Sequence, residues 1–489
     1  MKENTNTPIN GFSELTEEDP EKQVQLSIWK PFSDATLEQP LYSRCCGSFY
    51  FKYRWKILKP LQTRIIFSHY SLGFCIFFVL FLLISVYSII ITWGDTKASA
   101  VLPTFFLQLI YLFPAKNSIW LFLTGVSSEN FLFWHKYLSV LCVITGLFHA
   151  VGRVGPSGIL LIILLLLLLV VSSSVIRRRY YDFFLKSHWI LFILTIVASF
   201  CHKVHLYAAF FWIIDVLLRM YIVHKNQKNM KNLDLEQVAE NCIKITIDNE
   251  MIKYKPGQLF FICCPKISVF EWHPFNMYSS PFQNQITLYV KVLGDWTKKL
   301  YEISKTEKNV KIWLEGPYGS RLLNLDGDDE YQIFLLIGGG IGVAPLNSLC
   351  NNLIYENLYG RNLGKIIMVW SSRDQKILES FMDYNLSIWK ENLSSLMKKT
   401  GVLENFYHFT KKESVGMLKK NKFVELNLGR PNLDEYFLKA QNYAKEMGKT
   451  KVAVVCSGPE NMMKDVLVLG KKWSKEGIKF DVSVEINEF

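Results

Sequence analysis

Between Phe131 and His205 the chain sets four histidines inside apolar, helix-length segments: His135 with His149, and His188 with His202. The members of each pair are 14 residues apart. At roughly 100° per residue, that spacing turns about 1400°, about 40° short of four full turns. Both rings of a pair therefore leave their helix on one face, ~21 Å apart along its axis. Ionisable side chains at membrane depth are costly and tend to mark function. A lone histidine there is often just bonded to a neighbouring helix, but two pairs with identical spacing on two segments are harder to read that way. Two such helices side by side offer two stacked His–His clamps, the arrangement that holds two haems, each ligated axially by imidazole from both sides. His205 competes with His202 for the last position. It lies 17 residues from His188, about 100° short of five turns, and so points to a different face. His202 is the expected ligand.

The surrounding pattern is that of a membrane domain. Nearly all long apolar runs fall between residues 71 and 223. They suggest six spans, at 71–92, 101–123, 131–151, 156–176, 183–201 and 206–223, each near the ~20 residues a bilayer requires. Arg177, Arg178 and Arg179, and Arg219, Lys225, Lys228 and Lys231, fall on one side. The opposite loops carry only Lys97, Arg153 and Lys203. That bias puts both termini in the cytosol, of a cell whose plasma membrane or an internal membrane holds the chain. Spans three and five then run the same way. His135 should face His188 at an inner haem, and His149 should face His202 at an outer one. Arg153, one turn past His149, is placed to bond an outer haem propionate, to attract an anionic acceptor, or simply to anchor the interface. The formal charge of +12 reflects these flanks and does not suggest a nucleic-acid partner. The N-terminal stretch lacks an apolar h-region, so no cleavable signal peptide is expected. Cys45-Cys46 and Cys263-Cys264 are adjacent doublets, and none of the ten cysteines forms a CxxC pair, so reduced thiols are expected.

Four regions follow: a cytosolic arm (1–68), a transmembrane haem domain (69–225), an antiparallel barrel (230–328) and a parallel α/β domain (329–489). Strand-like runs at 243–247 and 258–263 alternate with turns, as in a small barrel. From Tyr331, runs at 333–337, 366–370 and 452–456 alternate with helical segments, the pattern of a parallel sheet. The Lys- and Ser-rich stretch 380–421 reads as a surface insertion. Its Asn-x-Ser triplets at Asn385 and Asn392 would be cytosolic and unglycosylated.

The motifs come in a telling order. His273-Pro274-Phe275-Asn276-Met277-Tyr278-Ser279-Ser280-Pro281 offers an aromatic wall (Phe275, Tyr278) and hydrogen-bonding groups (Asn276, Ser279, Ser280) of the kind an isoalloxazine ring needs. The run is similar to the flavin motif of the ferric reductase and NADPH oxidase superfamily, whose soluble half looks like ferredoxin–NADP reductase. Asn276 stands where that family usually has Thr. Gly294-Asp295-Trp296-Thr297 resembles its element at the FAD pyrophosphate, and Glu315-Gly316-Pro317-Tyr318-Gly319 its turn between flavin and nicotinamide. Gly338, Gly339, Gly340 and Gly342, ending at Pro345, follow a strand and open a helix. They let backbone and helix terminus approach a pyrophosphate, and they resemble the family's NADPH site. Arg373 is placed for a 2′-phosphate, and Arg430, in Gly429-Arg430-Pro431, resembles a second basic element near it. Cys456-Ser457-Gly458-Pro459 resembles the motif beside the nicotinamide, with Ser457 in the usual Cys position. The terminal Phe489 looks like the family's ring that stacks on the flavin. Residues 113–127 with His135-Lys136 look like the ferric-reductase branch.

The resemblance, covering residues 100–489, implies a transmembrane flavocytochrome. Cytosolic NADPH would reduce FAD, and electrons would cross two b-type haems to an acceptor on the far side. A ferric or cupric chelate is the first expectation and dioxygen, giving superoxide, the second. A regulatory haem protein without turnover is the third, supported only by Ser457. Whether a partner subunit is needed stays open.

Overall fold

The computed structural model describes residues 72–93, 95, 97–117, 128–151, 155–249, 251–319, 331–358, 361–388, 401–411, 424–475 and 477–485. The expected arm 1–68, Cys45-Cys46, Arg153, Asn392 and Phe489 lie outside these residues. Between Ile222 and Val223 the chain divides into a helical unit and a unit of two packed β-containing layers.

The helical unit contains α1 (Leu72–Ile91), α2 (Val101–Leu112), α3 (Ser128–Ala150), α4 (Pro156–Val171), a short α5 (Ser174–Arg179), α6 (Tyr181–Cys201) and the start of α7 (Tyr207–Asn229). Large apolar side chains face outward along them, among them Leu83, Ile90, Ile190, Val197 and Phe200. Such a surface suits lipid and not water. The segments Phe131–Ala150, Tyr181–Cys201 and Tyr207–Asn229 are long and apolar enough to cross a membrane. Three other apolar helices, at Phe78–Ile91, Ala98–Leu112 and Pro156–Val171, are shorter.

One expected boundary moves. Pro156 opens α4 behind an extended Gly155, where its missing N–H costs nothing. The helix then stops at Ser172 and not at 176, and the three arginines sit on the separate turn α5. The second segment, expected to end near Pro114, ends its helix at Leu112: Phe113 still has helical backbone, and Pro114, which has no N–H to donate to the Ile110 carbonyl, stops the ladder.

The second unit begins with a barrel of two three-stranded antiparallel sheets, β1-β2-β5 and β4-β3-β6. Their strands are β1 (Met230–Ala239), β2 (Cys242–Asn249), β3 (Leu259–Cys263), β4 (His273–Asn276), β5 (Gln285–Lys291) and β6 (Trp313–Tyr318), with α8 (Asp295–Thr306) between β5 and β6. Inward residues Ile243, Ile245, Ile247, Ile262, Leu288 and Leu314 alternate along the strands and fill the interior. Within this unit, Asn226 Nδ2 donates to the carbonyls of Leu314 (3.1 Å) and Gly316 (2.9 Å).

The α/β layer is a parallel sheet in the order β10-β9-β8-β7-β11-β12. It comprises β7 (Ile333–Gly339), β8 (Lys365–Ser372), β9 (Leu403–Phe409), β10 (Glu425–Leu428), β11 (Lys451–Ser457) and β12 (Lys479–Glu485). Helices α9 (Val343–Leu358) and α10 (Gln375–Ile388) accompany one core, α11 (Leu433–Glu446) and α12 (Glu460–Trp473) the other. Strands run one way from β7 to β10, and the chain then returns to place β11 on the other side of β7. That is a topological switch point, where open α/β sheets bind ligands.

The expected insertion at 380–421 is corrected in its first part. Residues Ser380–Ile388 continue α10, and Phe381 and Asn385 are buried in the core. Asn385 donates to Asn347 Oδ1 at 2.9 Å, and a buried, bonded amide is no glycan acceptor. Cys263 and Cys264 are free thiols.

Candidate functional site

In the helical unit the four histidines meet in two pairs. The His135 and His188 rings lie 6.4 Å apart, centroid to centroid, and those of His149 and His202 6.3 Å apart. Two imidazoles bound on opposite sides of one metal through a single nitrogen each, at about 2.0 Å, put their centroids roughly 6.3 Å apart. The observed pairs match that separation. In every ring Nδ1 already has a partner. His135 bonds the Ile110 carbonyl (2.9 Å), His149 the Ser99 hydroxyl (3.1 Å), His188 the Ser172 hydroxyl (3.0 Å) and His202 the Ser157 hydroxyl (3.2 Å). Nε2 is thereby the nitrogen left to a ligand, as in metal-bound histidines whose other nitrogen is fixed by the protein. His205 instead stacks on Tyr207, ring centroids 6.2 Å apart, away from either pair. The donor set fits two axially ligated haems.

A cavity of about 260 Å³ opens beside His149, lined by Ser88, Thr92, Trp93, Asp95, Ser99 and Phe148 among others. The backbone amides of Ala98 and Lys97 hold the Asp95 carboxyl below its usual pKa, so it is anionic at neutral pH.

In the barrel, β4 is the edge strand of its sheet and pairs with β3 among the described strands, while Met277, just past it, bridges to Leu288 of β5. Strand β4 carries His273, Pro274, Phe275 and Asn276, all half-buried. Trp296, in the first turn of α8, packs on His273 (4.4 Å between ring centroids) and on Phe275 (6.1 Å). The two flavin-like motifs, far apart in sequence, are thus one surface. Thr297 Oγ1 accepts the amide of Gly294 (3.1 Å) and caps α8, whose first amides have no helical acceptor. Among the described residues, the Ser280 hydroxyl and Trp296 Nε1 are buried without a partner. Such orphan donors are uncommon in a folded protein, and they fit a polar ring edge the protein itself does not supply.

Tyr278 is a correction. Its ring is buried, stacked on Phe381 at 4.5 Å and flanked by Tyr289 and Tyr384. Just past the end of β4, its side chain packs into the core shared with the α/β layer and leaves no free ring face for a flavin in this structure. Ser279 is likewise occupied: its hydroxyl bonds Tyr254 (2.7 Å) and accepts the Thr287 amide (2.9 Å). Two residues that sequence reasoning missed lock this motif to the nucleotide layer. Asn347 Nδ2 donates to the Tyr278 carbonyl (3.2 Å), and the Ser348 hydroxyl to the Ser279 carbonyl (2.6 Å). They lie on α9, directly after the glycine turn and Pro345.

The nucleotide cradle lies at the switch point. A Cβ on Gly342 would stand 2.8 Å from the Ser457 carbonyl oxygen, and one on Gly339 would stand 2.5 Å from Pro459 Cδ. Gly458 also lies close to Gly339: its Cβ would stand 3.0 Å from the Gly339 Cα. Gly338 packs against Val343, and Gly340, at φ +57°, has open space beside it. The ends of β7 and β11 are therefore pressed together backbone to backbone at the start of α9, a shape that fits a pyrophosphate. Gly316 (φ +128°) and Gly319 (φ +96°) use backbone that only glycine adopts easily, and Pro317 lies between them in the same turn.

Arg373 and Arg430 are exposed at the ends of β8 and β10, on the same edge of the sheet. Between them, at the end of β9, His408 bonds the Tyr436 hydroxyl at 2.7 Å, and burial lowers its pKa. Cys456 faces the α11 and α12 core, so it cannot stand in for Ser457 beside the cradle. Alternation puts the two side chains on opposite faces.

Three family models match the chain: an FAD-binding domain over 227–322, a ferric reductase NAD binding domain over 331–469, and a ferric reductase like transmembrane component over 99–156. Among curated relatives is a superoxide-generating NADPH oxidase heavy chain of Dictyostelium discoideum, 26% identical over 291 residues, which are 54% of this chain and 54% of its own. Human NADPH oxidase 4 is 24% identical over 291 residues, 55% of this chain and 48% of its own. Human dual oxidase 2 is 26% identical over 239 residues, 44% of this chain and 15% of its own. The matched region thus spans about half the length of the first two. A ferredoxin NADP+ reductase from Neisseria gonorrhoeae with bound FAD and NADP aligns over 52% of this chain and 97% of its own, with 13% identity and a TM-score of 0.38.

Proposed function

Since the chain belongs to the ferric reductase and NADPH oxidase superfamily, we propose that it is a transmembrane oxidoreductase carrying electrons from cytosolic NADPH, through FAD and two b-type haems, to an acceptor across the membrane. The observation that carries this reading is the pair of His–His clamps at 6.4 and 6.3 Å, each ring with its outer nitrogen already engaged. FAD supplies the conversion of a hydride into single electrons, and the haems supply one-electron relay. The protein's part is placement. The Gly338–Gly342 turn with Gly458 and Pro459 receives the dinucleotide phosphates. Arg373 and Arg430 select the 2′-phosphate. The half-buried face of β4 with Phe275, Asn276 and Trp296 receives the flavin, and Asn347 and Ser348 hold the segment just after it, at Tyr278 and Ser279, against the nucleotide layer. Ser457 borders the hydride path. His135 with His188 forms the inner centre and His149 with His202 the outer one.

For the acceptor, we favour a ferric or cupric species. The anionic Asp95 in the cavity beside His149 attracts a metal cation and repels an anionic product. Dioxygen is the second reading, favoured by the relatives named as superoxide-generating oxidases. The test is NADPH consumption by the purified, FAD-loaded protein, with ferric chelate under nitrogen and with air plus a superoxide-specific probe. Fast anaerobic iron reduction with little superoxide supports the metalloreductase. Superoxide matching NADPH use, with slow iron reduction, overturns it in favour of the oxidase.

A further inference from the structure

The helix α4 carries no polar side chain between Ser157, in its first turn, and Ser172, at its end. These two serines are 15 residues apart, and they bond His202 and His188, which are 14 apart on α6. The order is reversed, because α4 and α6 are antiparallel neighbours. One otherwise apolar helix thus serves both histidines of its neighbour. On the other side, Ser99 bonds His149 and the Ile110 carbonyl bonds His135. A histidine that binds iron through Nε2 keeps its proton on Nδ1 and donates it, so each of these oxygens is an acceptor. The two centres therefore differ. His135 and His188 face one peptide carbonyl and one hydroxyl, whereas His149 and His202 face two hydroxyls.

Resting on the reading that these histidines hold haem, we propose that Ser99, Ser157 and Ser172 are positioning residues. They fix the ring orientation of their histidines, and the asymmetry between carbonyl and hydroxyl sets the outer centre at a higher reduction potential than the inner one. A peptide carbonyl is a stronger acceptor than an alcohol. The stronger the bond from Nδ1–H, the more electron density the imidazole gives to iron, and the more the ferric form is stabilised. Hydrogen bonding behind the axial ligand is a known lever on haem potential. Were both haems bound, that difference would favour one-electron transfer from the centre held by His135 and His188 to the one held by His149 and His202, with no bond formed or broken.

The experiment is a redox titration of the full-length protein in lipid nanodiscs, with both haems followed optically and by the electron paramagnetic resonance of the ferric form. Wild type should show two potentials. Ser99→Ala and Ser157→Ala should each raise the higher one and leave the lower unchanged. The double variant should favour the ferrous outer haem about tenfold more than wild type, equivalent to about 59 mV. Ser172→Ala should raise the lower potential and narrow the gap. Ser99→Thr and Ser157→Thr, which keep the hydroxyl, should restore wild-type values. If an alanine variant loses the outer haem, retention of haem by the threonine variant supports the positioning role, and equal loss overturns it. Two full haem complements with both potentials unmoved in the double alanine variant also overturn it. Wild-type protein that binds no haem would instead sink the functional reading.

Discussion

The two units build their candidate cofactor sites in opposite ways. The helical unit uses side chains: four histidines at a fixed helical spacing, each turned by an oxygen on an adjacent segment. The nucleotide unit uses backbone: glycines at the ends of β7 and β11 are pressed together, and it is the lack of side chains that makes the site. A side-chain site fails when a ligand is removed. A backbone site fails when an atom is added.

Substitutions should follow that rule. The largest effect is expected from His188→Ala. One haem per chain should be lost and electron delivery to the acceptor abolished, while NADPH still reduces bound flavin. Haem content by pyridine haemochrome assay and flavin absorbance under nitrogen check this. Next is Gly342→Ala. Its added methyl would meet the Ser457 carbonyl at 2.8 Å, a contact that neither backbone can escape. The KM for NADPH should rise tenfold or more with both haem spectra unchanged, as steady-state kinetics and a difference spectrum would show. If Gly342→Ala leaves KM unchanged, the comparison breaks. The smallest effect is expected from Arg373→Ala. An exposed ion pair to a phosphate contributes about 0.2–1 kcal/mol, so the preference for NADPH over NADH should fall by up to roughly fivefold. The ratio of kcat/KM for the two nucleotides measures it, and an unaltered ratio would shift the 2′-phosphate role to Arg430.

How much of this was legible in the sequence follows the same division. The His pairing could be read because helical periodicity is regular, and it favoured His202 over His205 on angle alone. The glycine turn could be read because few other purposes require so many glycines between a strand and a helix. The serines behind the histidines could not be read without knowing that α4 lies against α6, although Ser157 and Ser172 stand out at the ends of an apolar run. Asn347 and Ser348 sit in a helix buried along nearly its whole length, where four polar residues (Asn347, Ser348, Asn351, Asn352) lie among apolar ones, and only the packing of α9 on the barrel reveals their bonds. Tyr278 misled for a related reason. An aromatic residue in a flavin-like motif suggests a ring stack, but the tertiary fold had already buried it against Phe381. The stretch 380–421 misled by composition: its charged and polar residues gave no sign that Phe381 and Asn385 point inward.

The most direct test of the electron path is anaerobic stopped-flow mixing of NADPH with protein loaded with FAD and two haems, and no acceptor. The account expects flavin bleaching followed by reduction of both haems, with the second haem missing in His149→Ala. Flavin reduced by NADPH beside haems that stay ferric would contradict it.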